Sequence, residues 1–394
     1  MLSGKQIQQV SSNPRDWSWP LWPILPLYPY GRRRTLRKEI VKDTIWTFDQ
    51  IQGIFYVTVP IRMTVVRLIG GGLFVYAPIA PTRECLRLVN ELVEKYGEIR
   101  YIILPTISGL EHKVYVGPFA RKFPTAEVFV TPQQWSFPVN LPLSWLGLPK
   151  KRTHLLPANS GETPFATEFD YAILGPLDIG LRPFAETVFW HSPSQTLLVT
   201  DSVLSVPAEP PEILHLDPYP LLFHAKNDVF DVVIDTPANR CLGWQRICLF
   251  ALYFQVDALD VVPTVEIFRN LIKAPDRSKR AYFGLLPWRW KSDWQRSFLQ
   301  LRQDGRLLVA PILQTLILGR HPQEVMEWVE KVASWNFRQI IPCHFDAPIR
   351  ASGDEFRQAF SFLQEDVGGR YLPETDLRFL RELEQKLRKS GILH

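Results

Sequence analysis

Cysteine is scarce in this 394-residue chain. The four thiols are spread along the sequence, and no two of them have C-x-x-C spacing: Cys85, Cys241, Cys248 and Cys343. A zinc knuckle or a thioredoxin-type redox motif requires that spacing, so both are excluded. So few thiols in so long a chain predict a reducing compartment and no disulfide framework.

Long apolar runs and a strong charge excess are also lacking. The longest apolar stretch, residues 247–254, is far shorter than the ~20 residues of a membrane-spanning helix. The first residues are polar and prolines interrupt the apolar residues after them, so we expect no signal peptide and a soluble, cytosolic protein. Lys and Arg total 45 against 40 Asp and Glu. From this near balance we expect no nucleic-acid partner.

Two common catalytic or nucleotide-binding motifs are missing as well. No Gly-x-Ser-x-Gly elbow presents a serine nucleophile, so the segment His191-Ser-Pro-Ser194 is only superficially similar to one. The three glycines Gly70–Gly72 lack the spacing and the helix start of a dinucleotide loop, and a hairpin turn explains them better.

Proline and tryptophan, in contrast, are abundant, with 34 and 13 copies. In residues 1–35 they alternate with aliphatic residues, and proline fixes φ and removes backbone donors, so neither a helix nor a central strand fits. We predict an extended Trp/Pro-rich arm that packs on its own domain, because an exposed Trp-rich patch is a solubility hazard. Docking of a protein partner on this arm is the alternative.

The remaining chain alternates strands and helices. Strands are predicted at residues 44–49, 53–59, 63–69 and 73–76, followed by a helix at 85–96, a buried strand at 99–104 and a helix at 116–123. Thr82 and Thr264 are predicted helix N-caps. We divide the chain into the arm, a main domain at 36–370 with a helical insertion at about 239–305, and a C-terminal helix at 371–394 that packs on the domain. Sheets flanked by helices predict an α/β fold, a four-layer αββα sandwich.

A polar turn follows the buried strand at residues 99–104. It reads PTISGLEHKVYVG and contains the pair Glu111 and His112. Strand ends of this kind are where α/β proteins place their chemistry. Glu111 and His112 are therefore the first candidate functional residues.

The order of elements over residues 63–132 resembles the first half of the metallo-β-lactamase fold. Over residues 36–370 the chain resembles DUF4336, a family of cyanobacteria and plants that we take as a divergent branch of that superfamily. The resemblance implies a metallo-β-lactamase-like αββα sandwich with the N-terminal arm and extra helices. It also implies a location in the cyanobacterial cytoplasm or, in a plant, the plastid stroma.

The resemblance also aligns a metal loop. The superfamily pattern Thr-His-x-His-x-Asp-His falls on residues 106–112, so Ile107 and Gly109 replace two ligands of the first metal site. Its remaining ligand has no histidine counterpart at residues 180–186, where Arg182 stands. We expect Arg182 to supply positive charge and bind an anionic group of a substrate.

The second metal site keeps its ligand types. Glu111 and His112 replace the Asp-His half of the loop, Asp201 matches the bridging aspartate, and His344 follows a Pro-Cys turn after the last strand. Two histidines and two carboxylates suit one Zn²⁺, Mn²⁺ or Fe²⁺ ion. The resemblance therefore implies at most a mononuclear site.

Two functions fit this pattern. Loss of the first site favours a non-catalytic scaffold, in which the four residues are retained as a hydrogen-bond network without any ion. The alternative is a mononuclear metal-dependent hydrolase of esters, thioesters or phosphoesters. Metal content distinguishes the two, and the convergence of Glu111, His112, Asp201 and His344 tests the alignment itself.

Overall fold

The computed structural model describes residues 11–19, 27–107, 111–134, 141–180, 183–364 and 372–392. Within these ranges the chain forms fourteen strands. They are β1 Leu36–Val41, β2 Ile45–Ile54, β3 Val57–Arg67, β4 Leu73–Tyr76, β5 Ile99–Leu104, β6 Glu127–Val130, β7 Thr153–Leu155, β8 Phe169–Asp178, β9 Pro183–His191, β10 Thr196–Val199, β11 Leu259–Val261, β12 Trp288–Trp290, β13 Gln339–Pro342 and β14 Ile349–Arg350.

The same ranges contain ten α-helices, joined by short 3₁₀ turns. They are α1 Arg83–Tyr96, α2 His112–Ala120, α3 Tyr219–His224, α4 Pro237–Tyr253, α5 Thr264–Lys273, α6 Trp294–Arg302, α7 Pro311–Leu316, α8 Pro322–Ala333, α9 Gly353–Ala359 and α10 Glu374–Lys389. None of these described helices has the length and apolar content that crossing a bilayer requires.

Two large sheets form the centre of the fold. The first has seven strands in the order β1 to β7, antiparallel from β1 to β4 and parallel from β4 to β7. The second has five strands in the order β14-β13-β10-β9-β8, and its single parallel pair is β10 with β13. Because β10 and β13 run parallel, their carboxyl ends lie at the same edge of this sheet.

Successive apolar residues along a strand alternate between the two faces of its sheet. In β4, Leu73 and Val75 pack with α1 and α2, whereas Phe74 and Tyr76 face the second sheet. In the second sheet, Leu198 of β10 joins this inter-sheet core, and the flanking residues of β10 pack against α8 and α9. Helices therefore cover both outer faces of two stacked sheets, and the predicted αββα sandwich is confirmed.

A fourth cluster of buried residues extends the sandwich at one end. It gathers α3, α4, α6, α7 and α10 around Trp244, and it includes Ile51 and Tyr56 from the first sheet. The extra helices and the C-terminal helix thus pack on the sandwich through one continuous apolar core. The domain boundaries themselves remain predictions.

The described parts of the arm lie against the domain. Trp19 is buried and its ring meets Tyr115 of α2 edge-on at 5.4 Å. The guanidinium of Arg34 lies 3.9 Å from the ring centre of Trp17. Residues 1–10 and 20–26 of the arm lie outside the described residues, so a partner role for it stays a prediction.

Three local predictions were wrong. The predicted strand at residues 53–59 is interrupted: it contains the end of β2, a two-residue turn with Phe55 and Tyr56 at φ 53° and 60°, and the start of β3. Helix α2 begins at His112, four residues earlier than predicted, and Glu111 is its N-cap residue. Thr264 is the first residue of α5 rather than its N-cap, which is Pro263. The Thr82 cap is confirmed, since its side chain accepts a hydrogen bond from the backbone N–H of Cys85.

Candidate metal centre

The ends of three strands bring the candidate residues together. Glu111 and His112 follow β5 at the start of α2, Asp201 follows β10, and His344 follows β13. One ligand atom from each of Glu111, His112 and His344 lies within 4.8 Å of the others. Asp201 joins them through its Oδ1, which is 3.3 Å from Nε2 of His344.

His112 is fully buried and its orientation is fixed by the backbone. Its Nδ1 donates a hydrogen bond to the carbonyl oxygen of Pro78, at 3.0 Å. A carbonyl only accepts, so Nδ1 carries the proton and Nε2 presents a lone pair. Burial lowers the pKa of His112, which keeps the imidazole neutral. Among the described residues Nε2 has no hydrogen-bond partner.

His344 is oriented in the same way from the opposite sheet. Its Nδ1 donates to the carbonyl oxygen of Pro60 at 2.8 Å, and its Nε2 lies 3.1 Å from Oε2 of Glu111. Burial opposes protonation of His344, but the charges and hydrogen bonds of Glu111 and Asp201 outweigh it and raise its pKa well above the ordinary value. In the ion-free chain His344 is therefore an imidazolium between two carboxylates.

The two carboxylates lie at the solvent side of this cluster. The side chains of Glu111 and Asp201 are 33% and 23% exposed, whereas that of His344 is 10% exposed. Desolvation would raise the pKa of Glu111, but the charge of His344 dominates and lowers it to about 2. The cluster thus has a buried histidine side and an accessible carboxylate side.

Glu186 is a site residue that the sequence reasoning missed. This fully buried carboxylate of β9 accepts hydrogen bonds from the backbone N–H groups of Thr200, Asp201 and Ser202, at 2.7, 3.2 and 2.9 Å. Burial, followed by the nearby charge of Asp201, raises the pKa of Glu186 to about 7. Glu186 therefore fixes the loop that carries Asp201. An acidic residue inside the apolar run of β9 was the available signal.

Arg62 fixes the other loop. It is a buried residue of β3, and its guanidinium forms an ion pair with Asp49 at 2.7 Å. It also donates to the carbonyl oxygens of Pro342 and Phe345, at 2.7 and 3.0 Å. These two carbonyls flank His344, so Arg62 holds the turn that presents this histidine.

The structure describes only some of the positions at which the resemblance implies lost ligands of the first metal site. Ile107 is buried, and its backbone N–H donates to the carbonyl oxygen of Ala185 at 3.3 Å. It supplies an apolar wall where the resemblance expects a histidine. Gly109 and Arg182 lie outside the described residues.

Solved structures with a similar backbone include flavo di-iron proteins, a diflavin flavoprotein and a metallo-β-lactamase. A mutant flavo di-iron protein from Thermotoga maritima is 11% identical, with a TM-score of 0.43, and the match covers 83% of this chain and 61% of that chain. A fragment of a diflavin flavoprotein from Nostoc sp. PCC 7120 is 12% identical, with a TM-score of 0.41 and coverage of 84% and 95%. The metallo-β-lactamase DIM-1 is 10% identical, with a TM-score of 0.37 and coverage of 83% and 96%. The chain thus spans about three fifths of the Thermotoga flavo di-iron proteins.

The sequence comparisons give one assignment. No curated protein matches the chain. The family model described as "Domain of unknown function (DUF4336)" matches residues 42–362, most of the described fold and all of the candidate site. The chain therefore belongs to the DUF4336 family.

Proposed function

We propose that this chain binds one divalent metal ion and uses it as a metal-dependent hydrolase. The ligands are Nε2 of His112, Nε2 of His344 and a carboxylate oxygen of Glu111, with Asp201 as the fourth. The observation that carries the proposal is the lone pair on Nε2 of His112, which is buried, unpartnered among the described residues and directed by the bond to Pro78. A metal-ligating imidazole usually donates its other nitrogen to a carbonyl in this way.

The spacing of the ligand atoms supports a small transition-metal ion. Zinc bonds of roughly 2.1 Å place neighbouring ligand atoms of a tetrahedral site about 3.4 Å apart. Here Glu111 and His344 are separated by 3.1 Å, and the cluster of three spans at most 4.8 Å. Only a modest contraction is needed, and Zn²⁺, Mn²⁺ and Fe²⁺ all accept this mixture of nitrogen and oxygen ligands.

Some residues of the proposed site orient the metal ligands, and others leave the site open to solvent. Backbone bonds to Pro78 and Pro60 fix the two imidazoles, and the proton on Nε2 of His344 must leave because a ligand offers its lone pair. A divalent ion held by His112, His344, Glu111 and Asp201 would supply an acidified water for hydrolysis of an ester, thioester or phosphoester. The exposed side of Glu111 and Asp201 leaves access for water and substrate. The predicted substrate contact of Arg182 stays a prediction.

Elemental analysis of the purified protein tests the ion. We expect close to one equivalent of metal per chain, and we expect His112→Gln and His344→Gln each to remove it. His154→Gln is the matched control, because His154 is an exposed histidine that pairs with Glu127 away from the site. Equal metal content in all four proteins, or none in the wild type, contradicts the proposal.

The second candidate is a metal-free scaffold. It is favoured by one observation: Nε2 of His344 lies 3.1 Å from Glu111 and 3.3 Å from Asp201, so a protonated His344 offsets part of their negative charge without any ion. In that case adding Zn²⁺, Mn²⁺ or Fe²⁺ leaves the melting temperature unchanged. A metal site instead stabilises the fold by about 2.7 kcal/mol at an ion concentration of 100 times Kd.

Catalysis is tested separately from binding. A loaded wild type is assayed against an ester, a thioester and a phosphodiester, beside His112→Gln and the His154→Gln control. Turnover that disappears only in His112→Gln supports the hydrolase. A protein that holds one equivalent of metal but turns over none of the three classes is a metal-binding scaffold, and the hydrolase part of the proposal is then wrong.

A further inference from the structure

Helix α5 presents an apolar face to solvent. Val265, Phe268 and Ile272 are 72%, 64% and 70% exposed, and no residue of α5 is buried. Their spacing of i, i+3 and i+7 places them on one side of the helix. An exposed stripe of three large apolar side chains at helical spacing is unusual for a surface helix and indicates a contact surface.

The opposite side of α5 is attached to the protein. Glu266 pairs with Arg289 of β12 at 2.6 Å. Just after the helix, Ala274 lies so close to Gly284 that an added Cβ on the glycine would be 2.6 Å from the alanine side chain. The half-buried residues Ile267 and Leu271 lie on this attached side. The helix is therefore held in one rotation, with the apolar stripe directed outward.

Basic residues border one edge of the apolar stripe and continue in the segment after the helix. Arg269 and Lys273 are exposed and lie four residues after Val265 and Arg269 respectively, which places them along one edge of the stripe. Residues 264–280 carry five basic and two acidic side chains. One of the acidic residues, Glu266, is already paired with Arg289. Three more exposed basic residues follow the helix: Arg277, Lys279 and Arg280, of which Arg280 pairs with Asp217 at 3.9 Å.

We propose that α5 lies flat on an anionic lipid surface. The apolar stripe would enter the boundary between headgroups and acyl chains, and the basic edge would contact lipid phosphates. Charge complementarity selects this occupant. A second copy of the chain would bring two positive edges together, and like charges across an interface disfavour association. This inference does not depend on the metal site.

Vesicle sedimentation with the full chain tests the proposal. We expect the wild type to sediment with phosphatidylcholine vesicles that contain phosphatidylglycerol, to stay in solution with phosphatidylcholine alone, and to be released by salt. Phe268→Ser/Ile272→Ser should lower the bound fraction about tenfold, and Arg269→Gln/Lys273→Gln should weaken binding to the anionic vesicles. Ile69→Ser is the matched control, because Ile69 is 76% exposed in the turn between β3 and β4.

Circular dichroism spectra of all variants should match that of the wild type, since the changed side chains are exposed. Failure of the wild type to sediment with the anionic vesicles would overturn the proposal. So would equal binding by Phe268→Ser/Ile272→Ser, or equal loss of binding in Ile69→Ser. A self-association that sedimentation velocity detects in the wild type and not in Phe268→Ser/Ile272→Ser, without vesicle binding, would identify a second copy as the occupant instead.

Discussion

Replacing Arg62 with methionine should destabilise the fold far more than breaking an exposed ion pair. The side chains of Arg62 and Asp49 are only 4% and 5% exposed, and their closest atoms are 2.7 Å apart. Arg62→Met leaves the carboxylate of Asp49 buried without its partner. It also removes the donors to the carbonyl oxygens of Pro342 and Phe345.

The magnitude follows from these contacts. Removing one member of a buried ion pair costs about 3 to 5 kcal/mol, because the remaining charge is uncompensated. In Asp49→Leu/Arg62→Met no charge remains, and the cost should fall to about 1 to 3 kcal/mol, the penalty for carbonyls that lose their donor. The double variant should therefore be more stable than the single variant Arg62→Met.

Urea unfolding followed by tryptophan fluorescence measures these differences, with Arg87→Met as the control. Arg87 pairs with Glu91 at 2.6 Å on α1, a distance as short as that of the buried pair, but the two side chains are 45% and 41% exposed. An exposed pair of this kind contributes under about 1 kcal/mol. Equal losses in Arg62→Met and Arg87→Met would refute the reasoning, as would a double variant as unstable as Arg62→Met.

The same variants connect the fold to the proposed metal site. Because Arg62 holds the backbone on both sides of His344, folded Arg62→Met should bind the ion about 10 to 100 times more weakly, the usual effect of removing a group that orients a ligand. Arg87→Met should bind it as the wild type does. Unchanged affinity in Arg62→Met would show that the His344 turn does not need this support.

Three further changes test other contacts. Glu186→Gln should cost about 1 to 3 kcal/mol in urea unfolding, because an amide group cannot accept all the N–H bonds that Glu186 now accepts from the Asp201 loop. Gly243→Ala should cost at least about 1 to 3 kcal/mol, since its Cβ would lie 1.8 Å from the carbonyl oxygen of Leu221. His224→Gln should make the free energy of unfolding depend less on pH in the acid range. Burial lowers the pKa of His224 to about 3. Below pH ~6.5 the unfolded chain therefore takes up a proton that the folded chain does not. Between pH 7 and 5 this histidine should account for about 2 kcal/mol of lost stability in urea unfolding, a loss absent from the variant.

Matched controls separate these effects from general damage. Gly70→Ala should be nearly neutral, because its nearest neighbour would be a side-chain atom of Arg100 at 3.9 Å. An unchanged unfolding midpoint in Gly243→Ala would contradict the close approach of α3 and α4. For Glu186→Gln, the contradicting result is wild-type stability, and for His224→Gln it is an acid slope equal to that of the wild type.

Secondary-structure elements with a clear pattern of apolar residues could be predicted from the sequence. The strand at residues 99–104 has the predicted bounds, because the apolar pattern and flanking residues agree there. The turn at Phe55 and Tyr56 could not be predicted, because turns with positive φ favour Asn and Gly. Tyr56 is held there by burial among the rings of Tyr219 and Phe223, a contact from a distant part of the chain.

The sequence could predict the candidate metal ligands but not the groups that orient them. The resemblance pointed to Glu111, His112, Asp201 and His344, and the fold places them near one another. The groups that orient them lie in other segments of the chain. The ligand pattern does not predict them, because they are backbone carbonyls and buried charges rather than motif residues. Arg62 of the first sheet reaches the His344 turn only when the two sheets are stacked, and Glu186 reaches the Asp201 loop only when β9 pairs with β10.

The contacts that orient the two histidines of the proposed metal site are independent of the expected first-site positions. His112 is fixed by the carbonyl of Pro78 and His344 by that of Pro60, and a backbone carbonyl is present whatever the neighbouring side chains are. In the proposed site the two imidazoles are therefore oriented whatever side chains stand at positions 107 and 109. A buried, neutral Nε2 on His112 with no described partner is costly to keep unless something binds it. That cost is the physical reason to look for the ion first.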